Sequence, residues 1–231
     1  MKQNKFLEEI GLAIVKGEYS AGAALPSENH LAKLFKVSRT TVRSATKSLE
    51  SKGLVEIRRA SGTFVNDKFE WNWLDETVLN WALETDQRLH IQQELRRVRL
   101  MIEPDIVQLA AQNATAYDLQ VMEAAIDQMR ISNGDLEIFN TADISFHDAI
   151  AKACGNPILY RMGKTVLALQ QPIFIETFVS DPLELEETIA LHQQIFDSIR
   201  LQKSEEAKAL AMTLIQRAYR NFIEIKKASP I

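Results

Sequence analysis

The sequence predicts a mainly α-helical protein, with an N-terminal winged helix-turn-helix followed by an all-α antiparallel helical bundle. Three observations carry this prediction. A short helix, a turn and a polar, basic helix follow one another between residues 28 and 51. Two short β-like runs, 54–58 and 63–65, come next and are joined by a turn. From residue 75 onward, apolar residues recur with helical periodicity and no convincing strand is seen.

Elements of the head can be placed from local signals. Residues 5–16 form an amphipathic pattern, and 28–35 and 38–51 are the two helices of the helix-turn-helix. Ser38 is a suitable N-cap for the second, recognition helix. Gly53 is expected to end that helix in a left-handed conformation.

Candidate DNA-binding residues follow from this placement. Arg39 and Arg43 lie one turn apart on the recognition helix, where guanidinium groups suit phosphates and guanine edges in a major groove. The hairpin at 54–65 is the expected wing, although a solvated hairpin without DNA contacts is the alternative. The candidates are Ser38, Arg39, Thr40, Thr41 and Arg43 in the recognition helix and Arg58, Arg59 and Gly62 in the wing.

Charge is unevenly distributed along the chain. The net charge is −4 over 231 residues, yet residues 1–66 hold 11 Lys+Arg and 6 Asp+Glu, a net of +5. Residues 67–231 carry a net of −9. A basic head on an acidic body is typical of a DNA-binding head with a separate regulatory body, although chance unevenness is the alternative.

Composition limits the cellular setting. No apolar run approaches the roughly 20 residues of a membrane span, and no apolar segment follows Met1 and Lys2 as in a signal peptide. The single cysteine, Cys154, cannot form an internal disulfide, which is consistent with a reducing compartment. We therefore expect a cytoplasmic protein without a membrane segment.

The predicted domains are a winged helix-turn-helix at 1–66, a linker at 67–74 and a helical effector-binding and dimerisation domain at 75–231. Three tryptophans, Trp71, Trp73 and Trp81, fall within eleven residues and are expected to be packing anchors. The predicted helices of the body are 75–84, 88–112, 115–132, 135–153, 156–179, 184–202 and 204–227.

Three polar residues of the body form a candidate metal site. Asp143 and His147 are one helical turn apart, and His192 follows in a later helix. A carboxylate and two imidazoles suit a divalent metal in a bundle core. From these residues alone, histidines engaged only in structural hydrogen bonds are the favoured interpretation.

The head resembles the GntR family of bacterial transcription regulators. A departure is Asn29, where that family often has arginine. The matching positions are Gly17, Tyr19, Gly22, Leu25, Pro26, Ser27, Glu28, Leu31, Ala32, Phe35, Val37, Ser38, Arg39, Thr41, Val42, Arg43, Leu49, Gly53, Leu54, Val55, Gly62, Thr63, Phe64 and Val65.

The body resembles the FCD ligand-binding domain of the FadR subfamily. The resemblance rests on V-R-L-M-I-E-P at 98–104, D-x-x-x-H at 143–147, G-N-P at 155–157 and the histidine at 192. It implies a divalent metal, zinc being expected, held by Asp143, His147 and His192. The family's third histidine is replaced by Leu214. This replacement implies additional open positions at the metal, the alternative being weak or absent metal binding.

The same resemblance implies an effector site. It assigns Arg99 to the carboxylate of an organic acid, whereas spacing alone favours an ion pair between Arg99 and Glu103. Gln170 is a further candidate for the cavity. The W-N-W-L-D run at 71–75 is similar to the sugar-acid branch of the subfamily, which implies an aldonate or uronate such as galactonate as effector.

Together these features predict a homodimeric repressor that binds a palindromic operator and is released by a sugar acid. It is not expected to be an enzyme. Two alternatives stay open: a metal-dependent enzyme acting on a small carboxylic acid, and a DNA-binding dimer with no effector.

Overall fold

The computed structural model describes residues 2–178 and 181–228. The chain forms two compact units, and the division falls between Gln92 and Gln93.

The first unit is a winged helix-turn-helix extended by one helix, as the sequence predicts for its first 66 residues. Strands β1 and β2 are antiparallel, with Val55 opposite Val65 and Arg58 opposite Gly62. The elements are α1 (Lys2–Val15), α2 (Glu28–Leu34), α3 (Arg39–Ser51), β1 (Val55–Arg58), β2 (Gly62–Val65), a 3-10 turn (Lys68–Glu70) and α4 (Glu76–Leu83).

One apolar face of α1 forms the base of the head. Phe6, Ile10 and Ile14 recur at helical spacing and are all buried. The ring of Phe6 meets that of Phe35 edge to face at 4.9 Å, which packs α1 against the helix-turn-helix. Burial of this face therefore supports the recognition helix from behind and leaves its opposite face exposed.

Gly53 ends the recognition helix as predicted. Its φ is +76°, and a side chain there would place Cβ 2.2 Å from the carbonyl oxygen of Glu70. Both the left-handed backbone and the close approach of the chain after the wing require glycine.

Helix α4 packs with the head, whereas the sequence predicts that it belongs to the helical domain at 75–231. The indole of Trp81 lies so close to Gly11 of α1 that a Cβ at Gly11 would be 2.3 Å from the ring. Lys52, the C-cap of α3, donates to both carboxylate oxygens of Asp75, the N-cap of α4, at 2.7 and 2.8 Å. The predicted boundary at residue 75 is therefore too early, because these contacts tie α4 to the winged helix.

The other two tryptophans also pack within the head. The rings of Trp71 and Trp73 lie 5.4 Å apart. Their indole N–H groups donate to the carbonyls of Asn66 and Lys68, respectively. The predicted role as packing anchors is confirmed, but within the first unit.

The second unit is helical throughout its described residues. Its core joins Ile106, Met122, Phe146, Ile195 and Ala211 from five helices. The helices are α5 (Arg88–Asn113, which begins in the first unit), α6 (Ala116–Ile131), α7 (Leu136–Ala153), α8 (Pro157–Thr177), α9 (Pro182–Arg200) and α10 (Ser204–Ala228).

The predicted helices of the body agree with these bounds to within two residues, except that residue 179 lies outside the described ranges. Cap residues explain the agreement, because Thr115, Asp135, Asn156 and Asp181 each accept from backbone amides of the helix that follows. In the described part of the chain, no helix is both long enough and apolar enough to span a membrane.

Candidate DNA-binding surface and effector site

The start of the recognition helix is locked by its cap. Ser38 accepts from the Thr41 amide at 3.0 Å, and the two hydroxyls are 2.8 Å apart. Thr40 is exposed. Of the two predicted threonines, Thr41 is therefore engaged in the cap, whereas Thr40 faces solvent.

Both arginines of the recognition helix are exposed, and both lie near one carboxylate. The side chains of Arg39 and Arg43 are 65% and 59% exposed. Arg43 donates through Nε and Nη2 to the two oxygens of Glu28 at 3.2 and 3.0 Å, and Arg39 Nη2 lies 4.0 Å from Glu28. The hydrogen bond from Arg43 holds the pKa of the Glu28 carboxyl below its ordinary value.

The two arginines of the wing differ in their contacts within the hairpin. Arg58 donates to Glu56 at 2.8 Å, and its guanidinium lies 4.5 Å from the ring centroid of Phe64. Arg59 is exposed at the tip, and Gly62 is exposed with a φ of +109°. At the wing tip, Arg59 is therefore exposed to solvent, whereas Arg58 is engaged with Glu56 and Phe64 of the hairpin.

In the second unit, the three predicted metal ligands come together. Asp143 and His147 lie on α7 and His192 on α9, and their candidate ligand atoms are all within 4.8 Å of one another. Asp143 Oδ1 is 3.1 Å from His192 Nε2 and 3.6 Å from His147 Nε2. The ring of Phe146 packs edge-on against both imidazoles.

The tautomer of His192 follows from its partners. Its Nδ1 is 2.8 Å from the carbonyl oxygen of Thr188, which can only accept, so Nδ1 carries a proton. Nε2 and the carboxylate oxygen of Asp143 are then two acceptors 3.1 Å apart, so a proton or a metal ion must lie between them.

The charges of Asp143 and His147 act on each other. Burial raises the pKa of the Asp143 carboxyl, but the charge of His147 and the hydrogen bond between His192 and Oδ1 outweigh it and hold that pKa well below its ordinary value. Burial lowers the pKa of His147, but the attraction of Asp143 outweighs it, so that this pKa is raised. The two shifts together favour an ionised Asp143 beside a cationic His147.

These residues fit a divalent metal. One carboxylate and two imidazoles are a donor set of zinc sites, and the bond from His192 Nδ1 to a backbone carbonyl is the support that such ligands normally have. Leu214, where the family's third histidine would fall, lines the same cavity. The position thus faces the cluster, but its side chain offers no ligand atom.

The cluster opens into a cavity of about 120 Å³ that also contains the predicted effector residues. Arg99 donates to Glu103 through Nε at 2.8 Å and Nη2 at 3.2 Å, and their side chains are only 15% and 17% exposed. Gln170 donates to the same carboxylate at 3.0 Å. The ion pair that spacing favours is therefore present, and it lies partly buried in the cavity wall rather than on the open surface.

Sequence reasoning missed several residues of these sites. Thr188 orients His192 through a backbone carbonyl four residues earlier, and Glu28 pairs with Arg43 across 15 residues. Gly163 lets α8 approach α5, since a Cβ there would lie 2.8 Å from Ile106. Only the i, i+4 spacing of Thr188 and His192 was visible in the sequence, because the other contacts join different helices.

A more open groove lies elsewhere on the second unit. It has a volume of about 690 Å³ and lies between α6 and α7, lined by Tyr117, Val121, Ile138 and Ser145 among others. It contains none of the predicted site residues. We place the chemistry in the smaller cavity, because the titratable groups converge there.

Comparison with known proteins agrees with the division of the chain into two units. Residues 3–65 match bacterial regulatory proteins of the gntR family, and residues 94–217 match the FCD domain. The Galactonate operon transcriptional repressor of Escherichia coli (strain K12) is 36% identical over 224 residues, covering 97% of this chain and 98% of that protein. The Uxu operon transcriptional regulator of the same organism is 30% identical over 205 residues, covering 86% and 77%.

A solved structure supports the fold. Streptococcus agalactiae GntR superposes with a TM-score of 0.52 at 25% identity, covering 94% of this chain and 99% of that chain. These similar proteins are transcription regulators, so the prediction that the chain is not an enzyme is confirmed. The resemblances inferred from the sequence are confirmed as well: the chain belongs to the GntR family of bacterial transcription regulators, and its second unit contains an FCD domain.

Proposed function

We propose that this regulator represses genes for sugar-acid breakdown and leaves its operator when it binds the acid, an aldonate or uronate such as galactonate. Two similar proteins are named for the galactonate and Uxu operons. The small volume of the cavity favours a compact ligand over a large acyl chain.

The observation that carries this proposal is the partly buried hydrogen-bonded set of Arg99, Glu103 and Gln170, which lines one cavity together with Asp143, His147 and His192. The pair with Glu103 uses Nε and Nη2 of Arg99, which leaves Nη1 outside that pair for a ligand carboxylate. Glu103 accepts and Gln170 both donates and accepts, which suits the hydroxyls of a sugar acid.

The charges explain why the cluster and the acid belong together. Arg99 is paired with Glu103, and Asp143 is the anionic member of the cluster beside them. A divalent metal, for which we propose zinc, held by Asp143, His147 and His192 would add positive charge at this carboxylate and accept a ligand oxygen.

The head would contact DNA through the eight candidate residues, as one half of a homodimer on a palindromic operator. Arg39, Thr40, Arg43 and Arg59 are exposed and would reach bases or phosphates. Ser38, Thr41, Arg58 and Gly62 would support them through the cap and the hairpin. Acid and operator would oppose each other through linkage, because each would favour a different arrangement of the dimer.

A thermal-shift screen of the purified protein against sugar acids, with and without a chelator, tests the effector and the metal together. Stabilisation by one acid that is lost with chelator supports the whole proposal. Stabilisation that persists with chelator supports the effector and contradicts the proposed role of the metal. No shift with any aldonate or uronate would contradict the effector and favour a DNA-binding dimer without one.

Operator release is tested separately with labelled DNA. The stabilising acid should lower the anisotropy of a duplex bound by the regulator, and an acid that gives no thermal shift should leave it unchanged. Tighter DNA binding with the acid would reverse the sign of regulation.

A further inference from the structure

Glu28 is the residue that joins the two helices of the helix-turn-helix on their exposed side. It is the first residue of α2, directly after the N-cap Ser27, and its side chain is 35% exposed. Its two oxygens accept from Nε and Nη2 of Arg43 in α3, 15 residues away. This parallel, two-bond arrangement fixes the plane of the guanidinium as well as its position.

The held guanidinium keeps donors for a second partner. A guanidinium has five N–H groups, and the pair with Glu28 uses one from Nε and one from Nη2. The edge formed by Nη1 and Nη2 can still donate two parallel bonds, the pattern that matches O6 and N7 of guanine. Arginine loses rotamer freedom when it binds, so a guanidinium that is already oriented loses less.

The same carboxylate also acts on Arg39. The two arginines are one turn apart on α3, where like charges repel, and Glu28 lies 3.0 Å from Arg43 and 4.0 Å from Arg39. A negative charge between them lowers the net attraction of this surface for phosphates. Phosphate attraction supplies most of the non-specific affinity for DNA, whereas base contacts supply discrimination.

We propose that Glu28 is a positioning and specificity-determining residue of DNA recognition, which orients Arg43 toward a guanine edge and weakens attraction to phosphates. The inference rests on the proposed role of Arg39 and Arg43 as DNA contacts. It predicts opposite effects on specific and non-specific binding, which an ordinary surface ion pair does not.

The test compares two labelled duplexes with the full-length protein by fluorescence anisotropy. One duplex is selected from a random pool by the wild-type protein, and the other is a shuffled sequence of the same composition. Glu28→Gln keeps the shape of an exposed side chain, so the head should fold. We expect this variant to bind the shuffled duplex more tightly and to lose about tenfold in discrimination between the two.

Glu9→Gln is the matched control. It removes the same charge from an exposed carboxylate on α1, one that lies 3.7 Å from Lys5. It should leave discrimination unchanged. Equal changes in affinity for both duplexes in Glu28→Gln, as in the control, would overturn the inference and reduce Glu28 to a general charge effect.

A double-mutant cycle with Arg43→Lys locates the effect. Lysine keeps the charge but lacks the planar fork, so Glu28→Gln should change discrimination little in that background. A full tenfold loss there would contradict action through Arg43. Should Arg43→Lys and the Arg39→Ala/Arg43→Ala variant both discriminate as well as wild type, the proposed recognition helix itself would be wrong, which separates that failure from a failure of Glu28 alone.

Discussion

The head and the body of this regulator use the same chemical pair, an arginine with a glutamate, in different surroundings. The side chains of Arg43 and Glu28 are 59% and 35% exposed, whereas those of Arg99 and Glu103 are only 15% and 17% exposed. Solvent and salt weaken the first pair, and the exposed edge of Arg43 that does not bind Glu28 stays accessible to DNA. Burial strengthens the second pair and makes each partner depend on the other.

The polar clusters differ in a second way. The candidate DNA surface lies on one short stretch of α3 and an adjoining hairpin, whereas the candidate effector site gathers side chains from α5, α7, α8 and α9. A surface assembled from neighbours in sequence needs little tertiary structure to be complete. The surrounding cavity is lined by five helices, since α10 contributes as well, and exists only when the whole unit is packed. A change there is therefore expected to affect stability as well as binding.

The largest effect is expected at the exposed surface. Arg39→Ala/Arg43→Ala should weaken binding to the selected duplex by about 2–6 kcal/mol, the loss of two base or phosphate contacts. Anisotropy with the selected duplex measures it. Arg130→Ala/Arg200→Ala removes the same charge from exposed pairs of the second unit and serves as control. Retained affinity in the Arg39/Arg43 variant would show that the head binds DNA through another surface.

The next largest effect is expected at the cluster of Asp143, His147 and His192, where a metal would stabilise the second unit. With zinc at about 100 times its dissociation constant, chelator should lower the free energy of unfolding of wild type by about 2.7 kcal/mol. Asp143→Asn should abolish this response, as followed by thermal unfolding. Asp148→Asn changes another carboxylate of α7 that lines the cavity and should respond like wild type. If chelator left the free energy of unfolding of wild type unchanged, the cluster would be stabilised by protons and not by a metal.

Arg99 tests whether the buried pair serves a ligand. Arg99→Ala should weaken acid binding by about 2 kcal/mol, since it removes a charged donor, and should leave operator affinity without acid unchanged. Calorimetric titration with the stabilising acid measures it. Arg97→Ala, which breaks an exposed pair with Glu94, is the control. Arg99→Ala/Glu103→Ala removes the uncompensated carboxylate, so normal acid binding by this double variant would limit Arg99 to an ion pair.

The smallest effect on stability is expected at the contact between Lys52 and Asp75, which joins α3 to α4. Asp75→Asn keeps an N-cap but loses the charge pair with Lys52, which should lower the free energy of unfolding of the head by about 1 kcal/mol. All three tryptophans lie in the first unit, so their fluorescence during urea unfolding reports on the head. Asp67→Asn, an exposed cap of the 3-10 turn, is the control.

This pair also gives a pH dependence of known sign. Burial raises the pKa of Asp75, but hydrogen bonds from Lys52 and from backbone amides outweigh it and lower that pKa. A lowered pKa in the folded state means that the stabilisation is complete above the unfolded value of about 3.9 and is lost as pH falls through the folded value. Wild type and Asp75→Asn should therefore converge in stability at acid pH. A constant difference between pH 7 and the acid limit would contradict the ion pair as its cause.

Much of the fold was predictable because its signals are local. Caps such as Ser38, Thr115 and Asp181, and the glycine at 53, mark helix ends within a few residues. The position of the unit boundary was not predictable from such signals. It depends on Trp81 meeting Gly11 across 70 residues, and a glycine inside an amphipathic helix gives no hint of what fills the space beside it.

The family, the order of the helices, the arginines of the recognition helix and the grouping of Asp143, His147 and His192 could all be predicted from the amino-acid sequence. Periodicity, caps and spacing within one helix are properties of neighbouring residues, so they can be recognised in a single chain. Packing between helices was needed to show that Arg99 and Glu103 are partly buried with Gln170, that Thr188 orients His192 and that Glu28 holds Arg43. Burial and pairing between helices depend on how the chain packs, and that packing is the sum of many weak contacts that no short stretch contains.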